Sequence, residues 1–134
     1  MSKSNKTKLK LIHFITTRLH SFKFAFDGLS YVMRTQQNAW IHLAATTLTI
    51  IVCTWLKISR DDWISIFLVI GMVWTAEFLN TALEIIVDLA SPEKHPLAKI
   101  GKDVGAASVL ITAFIAIVIG LIIVGPYLGK KFGF

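Results

Sequence analysis

Between Trp63 and Ala90 an otherwise apolar stretch carries Glu77, Asn80, Glu84 and Asp88, spaced by three, four and four residues. At helical pitch these side chains fall within an arc of roughly 80°, one polar stripe on one face. Placing a carboxylate near the centre of a bilayer costs a few kcal/mol on insertion scales, so intramembrane acids tend to mark working sites. Glu77 is expected about mid-bilayer, and Asp88 lies about 16 Å further along the same helix, near the water boundary. A deep Glu can accept the proton of a hydroxyl presented by a lipid headgroup. Carboxylates nearer the surface can hold Mg²⁺, which takes one or two of them together with a substrate's phosphates. The bland alternatives stay open: Glu77 and Glu84 as polar glue between helices, and Asp88 and Glu93 as solvated interfacial charges.

Immediately after the stripe comes SPEKHPLAKIGKDVG, residues 91–105, which concentrates Glu93, Lys94, His95, Lys99, Lys102 and Asp103. Lys102 and Asp103 are expected at the start of the next helix, where free backbone N–H groups favour phosphate oxygens. Deep carboxylate, metal-capable carboxylates and lysines at the boundary together point to phosphate chemistry on a lipid. There is no G-x-x-x-x-G-K-[ST] and no G-x-G-x-x-G, so a nucleotide would be held without a P-loop or a Rossmann turn. His13, His20, His42 and His95 have no partner at the spacing of a zinc motif. The single cysteine, Cys53, excludes an internal disulfide and reads as apolar filler.

The elements that must position these residues follow from composition. Of 134 residues, 54% are hydrophobic and 16% charged, against about 25% charged in a soluble domain. Ala39–Leu56 contains no Asp, Glu, Lys or Arg; with residues 63–90 and 104–129 it gives three expected transmembrane helices. Helical character is expected to fail near Gly125-Pro126. Trp40, Trp55, Trp63 and Tyr127 fall near the ends of these segments, where amphipathic rings sit. In residues 9–33, Ile12, Ile15, Leu19, Phe22, Phe26 and Leu29 recur every three or four positions, with Lys8, Arg18 and Lys23 outside the stripe. That pattern predicts an amphipathic helix lying in the headgroup region. It lacks the uninterrupted apolar core and cleavage site of a signal peptide.

The fold class expected is therefore an all-α integral membrane protein, one domain over residues 1–134, with a surface helix and three spans. Such a chain has little room for a private core, so an oligomer is expected. The formal charge of +6 would suggest nucleic acid in a soluble protein, but the apolar bulk makes lipid headgroups the better partner and nucleic acid drops out. Residues 1–38 hold seven Lys and Arg and the loop 91–103 three, against four on the other side. Basic residues are retained in the cytoplasm, which puts the N-terminus there.

AEFLNTALEIIVD at 76–88 followed by HPLAKIGKD at 95–103 resembles the signature of the prokaryotic diacylglycerol kinase family, specifically its undecaprenol kinase-like branch. The resemblance extends over roughly residues 18–126. It implies a homotrimeric multi-pass kinase of the bacterial inner membrane that transfers the γ-phosphate of ATP to a lipid alcohol with Mg²⁺. Undecaprenol is the first acceptor implied and diacylglycerol the second. Position by position, Glu77 matches the general base, with Asn80 beside it at the lipid substrate, and Glu84 a carboxylate that binds the nucleotide's metal. Arg18, Phe24, Glu84, Asp88, Glu93, His95, Lys102 and Asp103 match the nucleotide site. Two positions depart: Gln36 stands where a second metal-binding glutamate is usual, and Phe24 where a tyrosine is common. A Gln carbonyl can coordinate Mg²⁺ but brings no charge, so the metal site is expected to be weaker. That departure motivates a second reading, a phospholipid or lipid-phosphate phosphatase on the same scaffold. A third, from another class, is a small proton-coupled transporter built on the membrane-embedded Glu.

Overall fold

The computed structural model describes residues 3–133, with the side chains of residues 3–9, 11, 12, 14, 15 and 19 outside the description. Ile12, Ile15 and Leu19 of the expected apolar stripe therefore lie outside the described side chains. The described residues form four helices, α1 (Lys3–Thr35), α2 (Gln37–Leu56), α3 (Arg60–Ala90) and α4 (Pro96–Phe132). The fold is all-α as expected, and α2, α3 and α4 are each long and apolar enough to cross a membrane. The chain divides into two compact units, residues 1–37 and 38–134.

The first unit is essentially α1. Phe22, Phe26 and Leu29 are exposed, one helix face that water alone would not favour and that a headgroup layer accommodates. Thr17 and Ser21 return their hydroxyls to carbonyls one turn earlier, His13 and Thr17, at 2.8 and 3.1 Å. Those polar groups thereby satisfy themselves within the helix. Gln36 interrupts the helical run between α1 and α2, its amide still donating to the Val32 carbonyl at 2.9 Å.

In the second unit α2 ends in a Schellman motif. Lys57 adopts the left-handed conformation (φ 52°), while Ile58 N–H donates to the Cys53 carbonyl and Lys57 N–H to that of Thr54. These two bonds satisfy carbonyls that the helix end would leave orphaned. The apolar contact that accompanies the motif is present, because Cys53, Leu56, Ile58 and Ile66 form one buried cluster. Ser59 then caps α3, accepting from Asp62 N–H at 3.2 Å and donating to its carboxylate at 2.7 Å. Tyr127 on α4 ties this corner: its hydroxyl donates to Asp62 at 2.7 Å and accepts from Ser59 N–H at 2.9 Å.

A five-residue connection, 91–95, reverses the chain between α3 and α4, and so short a link makes the two helices antiparallel neighbours. They pack along their length, with Gly105 against Asn80 and Leu83, Gly101 against Val87, and Tyr127 against Asp62 at the far end. Of the three spanning helices α3 is the most enclosed and α4 the least. Leu89, Leu110 and Leu121 are more than two-thirds exposed, an apolar surface that needs lipid or another subunit against it.

Two features of α4 differ from the sequence expectation. It begins at Pro96, not near 104, because Pro pre-sets the first helical φ and His95 caps the end, its Nδ1 accepting from Leu97 N–H at 3.2 Å. It also continues through Pro126 to Phe132. Packing outweighs proline's cost there: Tyr127 and Leu128 lie against the Cys53 cluster, and Lys131 sits 3.6 Å from the centre of the Trp55 ring.

Candidate functional site

The acidic stripe of α3 passes from buried to exposed along the helix. Glu77 is 1% exposed and Asn80 is buried, Glu84 is half-buried and Asp88 exposed. Thr81 is buried beside them and returns its hydroxyl to the Glu77 carbonyl at 2.9 Å. The Asn80 amide nitrogen donates to Glu84 Oε1 at 3.1 Å. A carboxylate can only accept, so this bond fixes which end of the amide faces Glu84. It leaves Asn80 Oδ1 against Gly105 of α4, close enough that a Cβ there would collide with it.

The deep end of the stripe meets α2. His42 Nε2 lies 3.7 Å from Glu77 Oε2, beyond the reach of a good hydrogen bond. Both atoms, and Asn80 Oδ1, are buried without a hydrogen-bond partner among the described residues. The imidazole is held in place by Trp74, whose ring meets it edge-on with centroids 6.3 Å apart. Trp74 is itself tied to α2 by a hydrogen bond from its Nε1 to Thr46 Oγ1 at 3.1 Å.

At the shallow end the 91–95 turn and the first turns of α4 enclose a hollow of about 490 Å³. Asp88, Glu93, His95 and Lys102, four of the residues singled out from sequence, line it, joined by Ser91 and Lys99. Lys102 Nζ reaches across from α4 to Asp88 on α3 at 2.6 Å, and Lys99 pairs with Asp103 at 2.6 Å one turn along α4. Exposed pairs of this kind add little stability and are readily exchanged for a polyphosphate. Lys102 and Asp103 lie in the second turn of α4, a correction to their expected place at its N-terminus. Their contribution is side-chain charge, and the helix-end N–H groups belong to the His95–Leu97 cap.

The remaining sequence candidates belong to the other unit: Arg18 and Phe24 are exposed on α1 and Gln36 marks its end. Sequence reasoning missed His42 as a partner of Glu77, although a lone ionisable side chain inside a span was a signal for it. It also missed Gly105, whose lack of a side chain shows its purpose only once α4 is docked.

Among the described residues no three His, Cys, Asp or Glu side chains cluster as a preformed metal site. Glu84, half-buried and oriented by Asn80, suits a metal that arrives on its substrate. Mg²⁺ in phosphoryl-transfer sites commonly takes one or two carboxylates and the phosphates themselves. Glu84 is one such carboxylate, and the phosphates would have to supply the other ligands.

Residues 23–124 match the family model described as prokaryotic diacylglycerol kinase. An undecaprenol kinase of Bacillus subtilis is 41% identical over 108 residues, covering 81% of this chain and 88% of the relative. A diacylglycerol kinase of Synechocystis is 38% identical over 103 residues, 76% of this chain and 59% of the relative. A diacylglycerol kinase of Escherichia coli K12 is 28% identical over 115 residues, 81% of this chain and 94% of the relative.

Proposed function

Because the chain belongs to the prokaryotic diacylglycerol kinase family and is an ATP-dependent kinase of membrane lipids, we propose that its acceptor is undecaprenol, with diacylglycerol the secondary substrate. The 41% identity to an undecaprenol kinase, against 38% and 28% to the diacylglycerol kinases of Synechocystis and Escherichia coli, supports that order. The observation that carries the mechanism is the graded stripe from buried Glu77 to exposed Asp88, ending at a hollow edged by lysines. One end suits a hydroxyl in a dry environment and the other a polyphosphate in water.

In this reading the nucleoside occupies the hollow against Asp88, Glu93, His95 and Asp103, and the phosphates run from Lys102 past Glu84 towards Glu77. Glu84 belongs to the metal that accompanies ATP; Arg18, Phe24 and Gln36 keep the roles that the sequence resemblance gives them. Bound Mg²⁺ would neutralise charge on the phosphoryl oxygens. The lipid hydroxyl oxygen attacks the γ-phosphorus as the bond to the β-phosphate oxygen breaks. Its proton passes to Glu77, ADP leaves, and Glu77 later returns the proton to water. Phosphoryl transfer asks chiefly for positioning and charge stabilisation, which a fixed carboxylate and paired lysines supply. The excess of basic residues on residues 1–38 and on the 91–103 loop supports a cytoplasmic N-terminus in the inner membrane. The exposed apolar faces of the spanning helices support assembly, as a homotrimer, within lipid.

Purified protein given γ-labelled ATP, Mg²⁺ and either undecaprenol or diacylglycerol in mixed micelles is expected to label both, with the larger kcat/KM for undecaprenol. A larger value for diacylglycerol would reverse the assignment. Release of phosphate from undecaprenyl phosphate without ATP would favour the phosphatase reading instead.

A further inference from the structure

His42 and Glu77 present an uncommon pairing inside a membrane protein. Glu77 Oε2 is an acceptor and His42 Nε2 can donate; they face each other at 3.7 Å, and each is buried without a hydrogen-bond partner among the described residues. Leaving a buried polar atom unsatisfied costs about 1–3 kcal/mol, so two together ask for an explanation. The carboxylate opposite favours the tautomer that carries its proton on Nε2. Neither atom is open to solvent in this structure, and a single hydroxyl at the apex between them would satisfy both once the two side chains part to admit it. That hydroxyl accepts from His42 and donates to Glu77.

The surroundings specify what carries the hydroxyl. An apolar hollow of about 450 Å³ lies between α2, α3 and α4; His42 lines it, and Glu77 stands one helical turn beyond Val73, the last α3 residue of the lining. Among the described residues its lining is polar at His42 and Thr49 alone; Leu48, Val69, Val73 and Ile117 are typical of the rest. The lining on α2 runs from Ile41 to Val52 and on α3 from Ile66 to Val73, so His42 stands at the end nearest Glu77. The Trp74 ring keeps the imidazole aimed at the carboxylate.

We propose that His42 is the second hydroxyl-binding residue of the acceptor site, donating from Nε2 to the oxygen of a lipid alcohol whose proton is directed at Glu77. With one lone pair held by His42 and the proton held by Glu77, the remaining lone pair is free to meet the γ-phosphorus. This rests on the lipid-kinase reading and deepens it: the substrate is one whose hydroxyl is followed by bare hydrocarbon, as in a polyprenol. The contact exists before and during transfer, so it supplies mainly uniform binding, and its loss is read in KM more than in kcat.

The test is steady-state kinetics of His42→Leu and His42→Gln with undecaprenol, Mg²⁺ and ATP. His42→Leu is expected to raise KM for undecaprenol about tenfold, leaving kcat within about threefold and KM for ATP unchanged. His42→Gln, which keeps an N–H donor, is expected to recover most of that loss. A merely structural His42 would instead lower kcat and the unfolding midpoint together in both variants, and that result overturns the proposal. So does an unchanged KM in His42→Leu. A readout on the unaltered protein needs no variant to fold: with ¹⁵N-labelled histidine in micelles, the His42 Nε2 resonance is expected to move on titration with farnesol and to stay still with dodecane. No movement at saturating farnesol overturns the proposal. Wild-type protein that phosphorylates no lipid alcohol would overturn the kinase reading itself, and this inference with it. Normal wild-type turnover with an indifferent His42 would overturn this inference alone.

Discussion

Two glycines four residues apart on α4 should respond to the same substitution with opposite signs. At Gly101 an added Cβ meets only Val87 Cγ2, at an ordinary 3.7 Å. Gly101→Ala should then gain helix propensity, up to about 1 kcal/mol. At Gly105 the same methyl collides with Asn80 Oδ1 and crowds Leu83. The amide cannot simply turn over, because its nitrogen is committed to Glu84 Oε1 at 3.1 Å. Either Asn80 rotates and the bond to a carboxylate is lost, about 1.5–3 kcal/mol, or α4 retreats and packing is lost, about 1–3 kcal/mol. Setting either against the same propensity gain leaves Gly105→Ala destabilised by roughly 1 kcal/mol, so the two variants should differ by roughly 2 kcal/mol. Unfolding midpoints in mixed micelles, followed by circular dichroism, read that difference. Gly105→Ala should also raise the Mg²⁺ concentration needed for half-maximal activity several-fold, since Glu84 loses the amide that aims it. If Gly105→Ala is as stable as Gly101→Ala and keeps its metal dependence, the close helix crossing does not position Glu84 and the reasoning fails.

Other perturbations separate the parts of the account. Tyr127→Phe removes both hydroxyl contacts at the α2–α3 corner; it should lower stability by about 1–2 kcal/mol and leave kcat/KM unchanged, as melting and turnover assays would show. Lys102→Ala should raise KM for ATP about tenfold, with KM for undecaprenol unaffected, because it removes a charge-assisted contact to phosphate. On the metal-binding role proposed for Gln36, Gln36→Glu should lower the half-saturating Mg²⁺ concentration about tenfold, measured by titrating Mg²⁺ at fixed ATP.

Much of this was legible in the chain. Apolar runs long enough to cross a bilayer admit few structures other than helices, and the three-four-four spacing of Glu77, Asn80, Glu84 and Asp88 stated their shared face before any helix was placed. The start of α4 was hidden because the polar run at 91–103 looks like a loop, whereas Pro96 and the His95 cap begin a helix inside it. Pro126 pointed the other way: a local breaker was overruled by Tyr127 and Leu128 packing on the Cys53 cluster, information carried by residues some 70 positions away. His42 and Gly105 acquire meaning only through tertiary neighbours, Glu77 for one and Asn80 for the other. Spacing within one helix says nothing of what another brings to it.

The buried carboxylate of Glu77 is proposed to receive the proton of the lipid hydroxyl. That role is tested most directly by transfer of label from γ-labelled ATP to undecaprenol in wild type and Glu77→Gln, with nucleotide binding measured on the same preparations. Wild type is expected to yield labelled undecaprenyl phosphate and Glu77→Gln at least a hundredfold less, with ATP binding and unfolding midpoint retained. Near-normal transfer by folded Glu77→Gln would contradict that role.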